Sequence, residues 1–184
     1  MRVYLTGVSC VGKTAIGRDL ASLRSTPFFD LDAEVESYFG ASIERLQNRF
    51  LTGHSFRNEA AKALSALLSR PTSTSAVIAL PPGGLMGGYW RVVKMSPGKT
   101  VALTDTPENI LARISFYDVD SKPIEKELTD EEKRLYLREI KKDITYFGKT
   151  YTRADYRVHI AGLDAFAAAQ KVQNVVLAAA EERE

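Results

Sequence analysis

The sequence predicts an α/β fold of three layers, a parallel sheet held between two layers of helices. Three features carry that prediction. The chain starts with an apolar strand, Val3-Tyr4-Leu5, then a glycine-bearing loop, then an amphipathic helix. Near its middle, Ala76-Val77-Ile78-Ala79-Leu80 is apolar without interruption, as a strand buried on both faces requires. Strand-like and helix-like stretches alternate to the end, the pattern of strands joined through crossover helices. With 184 residues, 45% hydrophobic and 26% charged, the chain suits one domain, 1–184, with a sizeable core and a small inserted lid.

The loop Gly7-Val8-Ser9-Cys10-Val11-Gly12-Lys13-Thr14 fits the spacing Gly, four residues, Gly-Lys-Ser/Thr. Glycines let the backbone curl so that the N–H groups of Ser9, Cys10, Val11 and Gly12 point inward, forming a nest for phosphate oxygens. The helix starting around Gly12 adds the positive end of its dipole. Lys13 reaches the β- and γ-phosphates of a nucleotide as a mobile charge, and the Thr14 hydroxyl can hold Mg²⁺. The following segment, Ala15 to Leu23, places Ile16, Leu20 and Leu23 on one helical face. Cys10 occupies an unconstrained place in the pattern, so packing or backbone shape explains it better than a redox switch.

A second strand, Phe28-Phe29, ends in Asp30-Leu31-Asp32. Ligands of parallel sheets lie at the carboxyl ends of the strands, which suits a carboxylate pair there. Asp30 could hold Mg²⁺ and Asp32 could bind or deprotonate a hydroxyl; the structural reading is that Asp32 caps a helix starting near Ala33. That helix ends at Gly40, and Ser42 caps the next. Thr52 to Glu59 then lead into a long helix from Ala60 to Leu68. Within that lead, Arg57 suits bidentate capture of a carboxylate, or else pairs with Glu59 at the surface. His54 reads as a polar loop or cap residue.

After the turn Pro71 to Ser75, the buried strand from Ala76 to Leu80 ends in Pro81-Pro82-Gly83-Gly84, where Gly83 and Gly84 permit close approach to a ligand. Leu85 to Lys94 is weakly helical, Lys99 to Thr104 is a fourth strand, and Asp105-Thr106-Pro107-Glu108 opens the helix that carries Arg113 with a cap and an early proline. Residues 115–128 lack a sustained apolar period and read as an irregular, mobile lid. A charged helix follows from Asp130 to Tyr146. Ala154 to Ile160 supplies the fifth strand, and a last helix runs to the charged end 181–184.

Taken together, the loop with Ile16-Gly17-Arg18, Phe-Phe-Asp-Leu-Asp, Gly-His-Ser-Phe-Arg and the glycines after the third strand resemble shikimate kinase, from Arg2 to about Val175. The resemblance implies a P-loop kinase fold, a five-stranded parallel sheet of order 2-3-1-4-5. It also implies ATP·Mg²⁺ as donor and a small hydroxylated acid, shikimate, as acceptor. On this likeness Asp32 binds the acceptor hydroxyls, Arg57 its carboxylate, and segment 31–70 forms the acceptor side. Arg113 and the loop Ala161–Asp164 border the adenine, and Lys122 stands at the lid arginine. The chain departs from the family pattern in four places. Pro82 replaces the first of three glycines, and Gly53-His54 replace a glutamate. Lys122 replaces an arginine, and a second substrate-binding arginine has no clean counterpart, with Lys142, Lys149 and Arg153 as candidates. Two other readings stay open: a kinase for a different hydroxy acid or polyol, and a nucleotide-binding regulatory protein without transfer.

A formal net charge of +2 gives no argument for nucleic acid. The single cysteine leaves no internal disulfide and suits a reducing cytoplasm. No apolar run approaches the ~20 residues of a membrane span, and the N-terminus enters a strand rather than a signal peptide. The expectation is a cytoplasmic monomer acting on a small molecule.

Overall fold

Five parallel strands make one sheet in the computed structural model, which describes residues 1–181. They are β1 (Val3–Thr6), β2 (Phe28–Asp30), β3 (Val77–Ala79), β4 (Lys99–Thr104) and β7 (Tyr156–His159), in the order β2-β3-β1-β4-β7. Every pairing is parallel. The two intervening strands, β5 (Phe116–Tyr117) and β6 (Pro123–Ile124), form a separate antiparallel hairpin. Counted within the sheet alone, the order is therefore the 2-3-1-4-5 that the resemblance implied. β1 and β3 are buried along their whole length because helices cover the sheet on both faces.

The helices are α1 (Lys13–Leu23), α2 (Leu31–Phe39), α3 (Ile43–Gln47), α4 (Gly53–Leu68), α5 (Gly87–Val93), α6 (Pro107–Ala112), α7 (Asp130–Tyr151) and α8 (Ala165–Glu181). α1 packs on α8, and α4 on α5. Several boundaries follow the cap residues read from sequence. Gly40 ends α2 in the left-handed conformation, Ser42 caps α3, and Thr106 caps α6 with Pro107 in its first turn. The charged end that follows, 182–184, lies outside the described residues.

Four elements differ from expectation. α2 starts at Leu31 because Asp30, not Asp32, is its cap: the Asp30 carboxylate accepts from the Asp32 amide at 3.1 Å. α4 starts at Gly53, since the Thr52 hydroxyl accepts from the Ser55 amide at 3.1 Å; this puts His54 and Arg57 on the helix instead of in a preceding loop. Residues 116–124 are a hairpin rather than irregular chain. Asp118 closes its turn by accepting from the amides of Asp120 and Lys122 at 2.8 and 2.9 Å. α7 runs on to Tyr151, started by a capping box between Thr129 and Glu132.

Candidate active site

The phosphate loop joins β1 to α1 at the carboxyl edge of the sheet. Gly7 (φ +150°) passes so close to β4 that a Cβ would lie 2.7 Å from the Leu103 carbonyl oxygen. Cys10 adopts φ +58°, a left-handed conformation, and packs partly against the core. The Lys13 ammonium donates to the carbonyls of Gly7 and Val8, both at 2.9 Å, so the loop wraps its own lysine. Burial lowers the pKa of Lys13 to about 8, with the charges of Asp32 and Asp30 opposing that fall.

Thr14 donates to one Asp30 oxygen at 2.7 Å, while the other Asp30 oxygen caps α2. One carboxylate thus ties the phosphate loop to the end of β2. A hydroxyl and a carboxylate side by side form an all-oxygen donor pair, the chemistry a hard divalent cation accepts when nucleotide phosphates and water complete its shell. Asp32 stands two residues on, in the first turn of α2. Burial pushes its carboxyl up to about 6; Asp30 and Glu36 add to the rise and Lys13 opposes it.

Beside the loop lies a cavity of about 560 Å³. Its lining includes Ser9 of the phosphate loop, Asp32, Arg57, Gly83, Tyr89 and Asp143. Arg57 arrives from the second turn of α4, and its buried Nε has no hydrogen-bond partner. Gly83 faces that side chain: a Cβ would sit 3.0 Å from Arg57 Cδ. Gly84 turns the other way: a Cβ there would sit 2.5 Å from the Leu80 Cβ.

Other expected site residues lie apart from this cavity. Arg113 ends α6 and pairs with the buried carboxylate of Asp105, which also accepts from Asn109 Nδ2 at 2.8 Å and the Thr106 amide at 2.7 Å. Burial alone would raise Asp105, but bonds from Asn109, Arg113 and Thr106 outweigh it and hold the carboxyl below its ordinary range. Lys122 is at the hairpin turn, anchored through its amide. Among the candidates for a second substrate arginine, Lys142 pairs with Glu139 at 2.8 Å. Arg153 donates to the Leu85 carbonyl at 2.7 Å and lies over the Trp90 ring, while Lys149 is exposed. α7 instead contributes Asp143 and Phe147 to the cavity.

Sequence reasoning missed Tyr89 and Asp143. Asp143 and Phe147 are four residues apart, on the edge of the stripe formed by Ile140, Ile144 and Tyr151, so helical period applied to α7 would have found that pair. Tyr89 had no such signal, because Gly87 and Gly88 read only as helix-weakening.

A parallel sheet in this order, with a Gly-x₄-Gly-Lys-Thr loop leaving its central strand and a carboxylate–arginine cavity against that loop, defines a P-loop kinase of small molecules. The family model for shikimate kinase matches residues 9–173. A curated shikimate kinase of Aquifex aeolicus is 29% identical over 160 residues, covering 86% of each chain. A solved shikimate kinase of Aquifex aeolicus superposes with a TM-score of 0.72 at 26% identity, covering 98% of both chains. That of Acinetobacter baumannii in complex with shikimate gives 0.70 at 26% identity, over 96% of this chain and 93% of that one. The chain belongs to the shikimate kinase family.

Proposed function

We propose that the protein transfers the γ-phosphoryl group of ATP to a hydroxyl of shikimate. One observation carries this reading: Asp32 and Arg57 share a cavity with Ser9 of the phosphate loop, so a hydroxylated acid held by them abuts the place where the γ-phosphate arrives. Arg57 takes the acceptor's carboxylate. Asp32, with a carboxyl near 6, is mostly ionised at pH 7 yet basic enough to orient the hydroxyl and accept its proton. Lys13 exchanges the carbonyls of Gly7 and Val8 for phosphate oxygens. Thr14 and Asp30 would hold Mg²⁺, which supplies charge neutralisation on the phosphates when bound. Arg113 borders the adenine from the end of α6. Most of the acceleration then comes from positioning and charge, as a loose transition state allows.

Residues 115–128 act as the lid over the acceptor segment 31–70. Support comes from the hairpin tip: Ser42 donates to the Val119 carbonyl at 2.5 Å, Arg45 pairs with Asp120 at 2.8 Å, and Ser121 donates to Glu36 at 2.5 Å. Lys122 on that hairpin is the cation that closes on the γ-phosphate. The protein works as a cytoplasmic monomer on a small solute, with ATP and Mg²⁺ and without nucleic acid or membrane; among the described residues no helix is long and apolar enough to cross a bilayer.

A different hydroxy acid as acceptor is favoured by one observation, the carboxylate of Asp143 in the cavity where a second cation was expected. The deciding experiment is ADP release from Mg·ATP with and without shikimate, with the phosphorylated product identified. A shikimate-dependent rate supports the proposal. Its absence, alongside stimulation by quinate or gluconate, would transfer the reading to that acid.

A further inference from the structure

Tyr89 is 1% exposed, and its hydroxyl has no hydrogen-bond partner among the described residues. Buried hydroxyls are rarely left so, because the loss of water is uncompensated. The packing of α5 on α4 explains how this one is placed. At Gly88 a Cβ would stand 2.7 Å from both the Arg57 carbonyl oxygen and the Asn58 Cα, so only glycine lets α5 lie this close to α4. The next side chain, Tyr89, is thereby pressed into the cavity that Arg57 and Asp32 line. Burial and the Asp32 charge both raise the tyrosine pKa, against Arg57, so the hydroxyl remains protonated and acts as a donor.

Two buried donors without partners, the Tyr89 hydroxyl and Arg57 Nε, therefore belong to side chains that line one cavity. Donors of this kind are satisfied together by the oxygens of a carboxylate. No lysine or arginine of α7 lines the cavity among the described residues, and the nearest carboxylates, Asp32 and Asp143, suit hydroxyls instead. We infer that the Tyr89 hydroxyl is the second donor to the acceptor's carboxylate, completing with Arg57 a site for the single carboxylate of a polyhydroxylated acid. This rests on the kinase reading for the identity of the acceptor. Asp143 sharpens the selection: a second anionic group on the ligand would meet a carboxylate at the cavity wall, whereas a hydroxyl would meet a hydrogen-bond acceptor.

The test is Tyr89→Phe in the full chain, measured beside wild type. For the variant, the KM for shikimate is expected to rise about tenfold, the worth of one such hydrogen bond, while the KM for ATP stays put. Its melting temperature should equal or exceed that of wild type, since the hydroxyl removed had no internal partner. The methyl ester of shikimate, which keeps the hydroxyls but not the anionic oxygen, should be equally poor with both proteins. An unchanged KM for shikimate overturns the inference. So does a fall of several degrees in melting temperature, which would mean that the hydroxyl holds the fold together. If wild type shows no shikimate-dependent rate, the acceptor named above is wrong, and Tyr89 is then judged by thermal shift with quinate and gluconate. Stabilisation of wild type that the variant loses supports the site; equal stabilisation, or none, overturns it.

Discussion

Replacing Asp32 by asparagine should make the protein more stable and nearly inactive, and the size of the first effect follows from the site. The Asp32 carboxyl titrates at about 6 instead of 3.8, because burial and Asp30 oppose its ionisation more than Lys13 favours it. Holding the charge at neutral pH therefore costs up to about 3 kcal/mol, at 1.36 kcal/mol for each pH unit of displacement. The sign is distinctive. Below about pH 3 the carboxyl is neutral in folded and unfolded chains alike, so wild type and Asp32→Asn should unfold at the same urea concentration. As pH rises from about 3 to 7 the unfolded chain ionises first, and wild type alone loses stability, most steeply between 4 and 6. Above about pH 7 the gap is complete, and the variant's midpoint should lie about 1 M urea higher. Over the same range its kcat should fall at least ~100-fold, the contribution of a positioned base. Urea titrations of both proteins at several pH values, read by circular dichroism, make the comparison. A variant no more stable than wild type at pH 7.5, or a gap that ignores pH between 4 and 6, would refute the reasoning.

Lys13→Ala should lower kcat by at least ~100-fold with the fold intact by circular dichroism, because a charge on the transferring phosphoryl group is lost; near-normal turnover would remove Lys13 from the site. The pH profile of kcat/KM should be bell-shaped. It should rise as Asp32 ionises near 6 and fall as Lys13 loses its proton near 8, limbs that stopped-assay rates between pH 5 and 9 would locate. Gly88→Ala should cost about 1–3 kcal/mol by overpacking α5 against α4, measured by denaturation, and should raise the KM for the acceptor by displacing Tyr89 and Arg57.

Features set by adjacent residues are legible in the sequence. The phosphate loop depends on residue types in one octapeptide, and β4 from Lys99 to Thr104 was bounded correctly from its own apolar run. Cap residues mark the starts of α3 and α6 for the same reason, since an N-cap bonds only to its own first turn. The misplaced starts of α2 and α4 also have local causes. Asp30 and Thr52 are ordinary cap residues, each bonding an amide in the first turn of the helix it starts.

The sequence alone determined the sheet, the loop that receives phosphate, and Asp30, Asp32 and Arg57 as the polar residues to watch, because each is written in a short pattern. Only tertiary structure decided which of them meet. Asp32, Arg57, Gly83, Tyr89 and Asp143 come from five separate segments, and their convergence is set by helices packing on one another, at Gly88 above all. No local pattern encodes that approach. It arises where a missing Cβ on one helix allows another to close in, and it leaves unpartnered donors on side chains lining a cavity that the linear order of residues does not reveal.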